Sequence, residues 1–118
     1  MTAQEFRRLA LALPEAEERS HMNHPDFRVR GKIFATLGHG DTKTGVILLR
    51  PDQQADFVEA DPDVFVPVKG GWGRGGATTV RLPSASRKTV RIALEAAWAR
   101  KAPKTLVAAH TGRTSRGE

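Results

Sequence analysis

The 118-residue chain contains no cysteine and no tyrosine, and only two tryptophans and five phenylalanines. The absence of cysteine excludes disulfide bonds, thiolate metal sites and cysteine nucleophiles. No apolar run approaches the length of a membrane span, and the N-terminal segment carries acids that a signal peptide lacks. We therefore expect a soluble, cytoplasmic protein with no membrane association.

Acidic and basic residues are distributed unevenly along the chain, whose formal net charge is +6. Residues 1–63 hold 8 Lys/Arg and 11 Asp/Glu, a net charge of −3. Residues 64–104 hold 9 Lys/Arg and one acid, Glu95, a net charge of +8. Such asymmetry favours a polyanionic partner. The alternative is that arginine serves solubility alone, since net charge determines solubility and non-specific binding rather than fold.

Hydrophobic periodicity and turn residues predict a single α+β domain over residues 1–104, with a flexible tail over 105–118. The predicted order is α-β-β-β-α-β-β-α. Helices are expected at 3–13, 51–60 and 86–101, and strands at 26–30, 32–37, 44–50, 64–68 and 78–82. A capping box, Thr2 with Glu5, begins the first helix and Pro14 ends it. Residues 15–23 are expected to be a polar connector, and 70–76 a glycine-rich loop.

Two segments resemble the MmcQ/YjbR family. They are Pro25-Asp26-Phe27-Arg28-Val29-Arg30-Gly31-Lys32-Ile33-Phe34-Ala35 and Gly73-Arg74-Gly75-Gly76-Ala77-Thr78-Thr79-Val80-Arg81-Leu82. The resemblance covers residues 3–104 and implies a compact antiparallel sheet with helices packed on one face, described as a double-wing DNA-binding fold. Members often carry an aromatic residue, commonly Trp, where this chain has Ala77; Trp72 lies five residues earlier.

Three basic segments are candidates for contacting phosphates. In the first, Arg28 and Arg30 alternate along a strand and Lys32 follows the Gly31 turn. Such a row supplies affinity for a nucleic-acid backbone without reading its sequence. The structural alternative is the ordinary solvated face of an amphipathic strand.

The second candidate is the glycine-rich segment, where Trp72 stands between Lys69 and Arg74. Glycines permit positive φ and close backbone approach, and a tryptophan can stack on a base. Residues 71–76 match G-x-G-x-x-G formally, but a strand follows instead of a helix, so a dinucleotide site is excluded. The structural alternative is a flexible hairpin with Trp72 folded onto the core.

The third candidate is the start of the last helix, where Arg87, Lys88 and Arg91 stand at the positive end of the helix dipole. Cations are unfavourable there unless an anion binds. The alternative is a small destabilisation, relieved by an Arg91–Glu95 pair. Arg81, at the end of the preceding strand, completes the predicted nucleic-acid-binding set.

Histidines and acids offer no complete catalytic or metal centre. His21, His24 and Asp26, and His39 with Asp41, are metal-capable but lack a third ligand at a fixed spacing. We therefore predict no metal, no cofactor and no enzymatic activity. The first hypothesis is a DNA-binding domain, with a monomer favoured. The second is a protein-interaction module that docks through the acidic helix 52–63 or an open sheet face, and the third is an enzyme or ligand site lined by His21, His24 or the glycine loop.

Overall fold

The computed structural model describes residues 1–21, 24–38 and 43–117. The helices are α1 (Ala3–Leu11), α2 (Pro51–Ala60), α3 (Gly71–Arg74), α4 (Arg87–Lys101) and α5 (Lys104–Gly117). The strands are β1 (Ala16–His21), β2 (His24–Val29), β3 (Lys32–Leu37), β4 (Thr44–Leu48), β5 (Phe65–Pro67) and β6 (Ala77–Arg81). The predicted α+β class is confirmed.

The strands form one antiparallel sheet in the order β1-β2-β3-β4-β6-β5. The predicted meander has one strand more than expected, because the connector at 15–23 contains β1. Its sequence, AEERSH, is charged and shows no apolar alternation. An edge strand can be so polar because it is held by backbone hydrogen bonds to its one neighbour, which a pattern of side chains does not reveal.

A tight turn joins β2 to β3. Its two central residues, Arg30 and Gly31, have φ values of 51° and 80°. Positive φ at both positions is typical of a type I′ turn, whose twist matches that of the flanking strands. The predicted hairpin is therefore confirmed, and a register shift at Phe27/Arg28 allows Phe34 and Ala35 both to be buried.

Helices α1 and α4 pack together, and α4 lies against β3 and β4. Trp98 of α4 is fully buried and its Nε1 donates a hydrogen bond to the Pro14 carbonyl at 3.0 Å. Helix α2 lies beside β5, where the rings of Phe57 and Phe65 are 5.2 Å apart. These contacts join both halves of the chain in one core.

The direction of α4 separates the two ends of the sheet. The hairpin end contains the β2–β3 turn, the end of β4 and the start of β6; Leu48 is paired with Ala77 there, whereas Thr44 is paired with Arg81 at the opposite end. Helix α4 follows Arg81 and therefore begins at the opposite end. It finishes at the hairpin end, where an Arg100 Nη1 group donates to the Leu49 carbonyl. Fifteen residues at 1.5 Å each give a length of about 22 Å.

The segment after Pro103, expected to be a flexible tail, forms α5. Leu106 and Val107 are partly buried against the core. The His110 ring meets the Trp98 ring edge-on at 5.1 Å, and its Nε2 lies 3.1 Å from a Glu95 oxygen. The sequence of this segment did not predict α5, because most of its residues are small or polar and only two or three side chains make the apolar contact.

The glycine-rich segment contains one turn of helix, α3, and not the mobile loop that its composition predicts. Gly73 is buried, and a Cβ there would lie 1.5 Å from the Val68 carbonyl oxygen. Gly76 has a φ of +113°, and a Cβ there would lie 1.8 Å from the Leu49 oxygen. Glycine is needed at positions 73 and 76 because backbone atoms of Val68 and Leu49 occupy the space that a Cβ atom would take.

This packing predicts different effects for two substitutions in the same short helix. We expect Gly73→Ala to lower the free energy of unfolding by more than about 2 kcal/mol, since Val68 backbone cannot move aside. In Gly71→Ala the new Cβ would contact only the Arg74 side chain, at 3.6 Å. This substitution should therefore change the free energy of unfolding by less than about 0.5 kcal/mol. Urea unfolding of both variants measures the difference, and equal stabilities would contradict the packing.

Candidate functional site

The structure divides the predicted binding residues between the two ends of the sheet. Six of them lie at the hairpin end: Arg28 near the end of β2, Arg30 in the β2–β3 turn, Lys32 just after it, and Lys69, Trp72 and Arg74 in or beside α3. The others lie toward the opposite end: Arg81 ends β6, and Arg87, Lys88 and Arg91 begin α4. About 20 Å of helix separates the two groups, so the three basic segments do not form one continuous surface.

Arg28 and Arg30 of the predicted set already have acidic partners. Arg28 donates through Nε and Nη2 to the two carboxylate oxygens of Asp26, at 2.8 and 3.0 Å. Asp26 is only 1% exposed, and this arginine balances its charge. Arg30 donates to Glu15, and this hydrogen bond lowers the pKa of the Glu15 carboxyl. These two arginines are therefore less available for phosphates.

Side chains of the protein itself stabilise the start of α4. The Ser86 hydroxyl accepts a hydrogen bond from the Thr89 amide at 3.2 Å, as expected of an N-cap. The Arg87 guanidinium reaches to 4.0 Å from a Glu5 oxygen on the neighbouring α1. The Thr2 amide and, to a smaller extent, Arg87 lower the pKa of Glu5. An acid from another helix thus offsets part of the charge predicted to be unfavourable.

A cleft of about 180 Å³ opens at the hairpin end, between α3 and the last turn of α4. Leu48 and Ala77, from the paired ends of β4 and β6, contribute apolar atoms. Trp72 contributes its ring and is 54% exposed. Arg100 and Lys101 contribute cations, while Gly71 and Gly75 complete the lining. Ala77 and Trp72 therefore line the same cleft.

Several cations lie around this cleft. Burial, together with the charges of Arg100 and Lys32, lowers the pKa of Lys101, so both of these cations lie close enough to repel Lys101. An Arg74 nitrogen lies 3.6 Å from the position of a Cβ on Gly71, which lines the cleft. Lys69 is exposed at the entry to α3. We call this group the cationic end; its members are Lys32, Lys69, Arg74, Arg100 and Lys101.

The members of the cationic end lack carboxylate partners, as do Arg8, Arg81 and Arg91 in the described ranges, whereas six other arginines are paired. The paired arginines are Arg7, Arg19, Arg28, Arg30, Arg50 and Arg87, with Glu18, Glu17, Asp26, Glu15, Asp52 and Glu5 as their respective partners. Within the described ranges, no carboxylate lies within 4 Å of a charged nitrogen of the cationic end. Unpaired cations that repel one another favour the binding of an anion.

Sequence reasoning missed two members of this group, Arg100 and Lys101. Cations in the last turn of a helix are usually explained by the helix dipole, which they complement. Their spacing gives no sign that the last turn of α4 faces α3. Only the packing of α4 across the sheet brings them to Trp72.

The histidine candidates do not form a metal centre in the part of the chain that the structure describes. No group of three or more His, Asp and Glu side chains there lies close enough to hold an ion. His39 and Asp41 lie outside the described residues, as does the side chain of His21. A search of the described helices finds none with the length and hydropathy to cross a bilayer.

Comparison with known proteins assigns the fold. The family model described as YjbR matches residues 11–100. This chain belongs to the YjbR family. The crystal structure of Deinococcus radiodurans protein DR2400, which has a DUF419 domain, matches with a TM-score of 0.67 and 15% identity over 82% of this chain and 75% of that one. At that identity the likeness shows the fold alone. No curated protein matches the chain.

The cleft predicts how the two tryptophans of this YjbR-family protein respond to quenchers. Trp98 is fully buried, whereas Trp72 is half exposed among cations. We expect iodide to quench the tryptophan fluorescence of the native protein several times more strongly than that of the Trp72→Phe variant, because the cationic end attracts the anion. In Lys69→Ala/Arg74→Ala, iodide quenching should fall while quenching by neutral acrylamide stays constant. Equal quenching of wild type and Trp72→Phe would contradict the placement of Trp72.

Proposed function

We propose that this YjbR-family protein is a non-enzymatic, cytoplasmic nucleic-acid-binding domain that contacts phosphates through its cationic end. The supporting observation is the group of five cations without carboxylate partners around the cleft, in a structure where six other arginines are paired. A nucleic-acid backbone supplies regularly spaced negative charges to such a surface, and Lys and Arg contacts with it are largely independent of sequence.

The proposal narrows the set of residues suggested by the sequence. Lys32, Lys69, Trp72 and Arg74 stay in it, and Arg100 and Lys101 join them. Arg28 and Arg30 leave it because their guanidinium groups already bind carboxylates. Arg81, Arg87, Lys88 and Arg91 form a second basic region at the far end of α4, which a long DNA could touch but a short one could not reach at the same time.

A protein-interaction module is the second candidate function. Its support is a row of half-buried side chains that the strand register places side by side on one sheet face: Thr36, Val46, Thr79 and Val66. Besides Trp72, the large exposed apolar residues of the described ranges are Leu11 and Ile92. They lie on two different helices and do not extend this row. A protein bound to the row would leave the cationic end free.

The salt dependence of DNA binding tests the first candidate. With up to five phosphate contacts, log K should fall with log[salt] at a slope of about −3 to −4, so affinity drops roughly 60- to 250-fold between about 50 and 200 mM salt. Fluorescence anisotropy with a short labelled oligonucleotide measures this slope. No binding at low salt, or binding that ignores salt, would refute the proposal.

The two ends of α4 supply a matched pair of variants. Lys69→Ala/Arg74→Ala removes two cations from the cationic end and should reduce the magnitude of the slope by about 1.4–1.8. Arg87→Ala/Lys88→Ala removes the same charge from the opposite end and should leave the slope for a short oligonucleotide nearly unchanged. If both variants lose affinity equally, net charge and not the cationic end is responsible for binding.

A further inference from the structure

The cleft combines aromatic, apolar and cationic surface, of which a phosphate alone would require only the last. Trp72 presents an aromatic ring with about half of its surface exposed, although a tryptophan elsewhere in this protein is fully buried. Leu48 and Ala77 present apolar atoms beside it. Arg100 and Lys101 present positive charge on the same cleft. A ligand that satisfies all three has a flat apolar ring joined to an anionic group.

The size of the cleft limits the ligand to a single ring system. Its volume is about 180 Å³, below the range of roughly 300–1,000 Å³ that encloses a drug-sized molecule. One nucleobase fits this description, whereas a dinucleotide would extend into solvent. The phosphate attached to that base would then lie at the rim of the cleft, near the cations.

The electrostatics of the cleft favour an anion at that rim. Lys101 is partly buried and is repelled by Arg100 and Lys32. The Arg100 guanidinium is held by the Leu49 carbonyl, which is neutral and leaves its charge uncompensated. In the described ranges neither residue has a carboxylate partner. A bound phosphate would relieve the repulsion of Lys101 by the other two cations.

We propose that the cleft binds one unpaired nucleobase and its adjoining phosphate, with the base stacked on Trp72 and the phosphate held by Arg100 and Lys101. This inference rests on the proposed function, because the same cationic end binds the rest of the strand. The base can come from a single strand or from a free nucleotide. A base within a duplex cannot enter without leaving its stack, which costs a few kcal/mol, so the cleft selects single strands over duplexes.

Binding of three probes tests the site: a short oligothymidylate, a duplex of the same length and thymidine 5′-monophosphate. We expect the oligothymidylate to bind more tightly than the duplex and to quench the fluorescence of Trp72. Trp72→Ala should weaken its binding by about 5- to 100-fold, the effect of losing one base–aromatic stack. Trp72→Phe should retain most of the affinity, and Ile92→Ala, which removes another half-exposed apolar side chain outside the cleft, should retain all of it.

The outcomes separate this inference from the proposed function. Duplex and single strand bound equally, with no loss in Trp72→Ala, would overturn the base site while leaving phosphate binding intact. No binding of any oligonucleotide at low salt would overturn the proposed function. Quenching of Trp72 by the monophosphate alone would then identify the cleft as a site for free nucleotides, and quenching that ribose 5-phosphate reproduces would overturn base stacking.

Discussion

The hairpin end of the structure depends on the contacts that the Leu49 carbonyl makes. This carbonyl stands just after β4 and accepts a hydrogen bond from Arg100 at the end of α4. The Gly76 backbone packs directly on its oxygen, at a distance that a side chain would forbid. The Leu49 amide in turn donates to the Gly76 carbonyl at 3.3 Å. The backbone of one residue therefore holds β4, the start of β6 and the end of α4 together.

The cleft follows from this junction. With α4 held at Leu49, its last two residues, Arg100 and Lys101, face α3. Helix α3 is held from the other side by Gly73 against Val68, and by Gln54, whose amide donates to the Gly73 and Ala77 carbonyls at 2.9 Å. Trp72 projects from a turn that is fixed on both sides. Its exposure therefore results from a rigid backbone and not from a flexible loop.

In the folded protein, some charged side chains have a partner of opposite charge and others have none. Five of the six arginines in the acidic first half pair with carboxylates of that half, and the buried Asp26 binds Arg28 through both oxygens. Residues 64–104 contain one acid, Glu95, which lies near His110. The cations of this basic half consequently have few possible partners, and the excess of charge appears at both ends of α4.

The sequence by itself determined the α+β class, the β2–β3 hairpin, α2 and α4, because capping residues, alternation and turn glycines act over a few neighbouring positions. It also determined the charge asymmetry, and it was enough to select Lys32, Lys69, Trp72 and Arg74 as candidate nucleic-acid contacts. Tertiary structure alone decided that β1 and α5 form, since polar segments there gain order from a neighbour's backbone or from a few apolar contacts. It also decided which cations are paired, and it placed Arg100 and Lys101 beside Trp72. Trp72 lies nearly thirty positions before Arg100 and Lys101, and no local pattern encodes the direction in which α4 crosses the sheet.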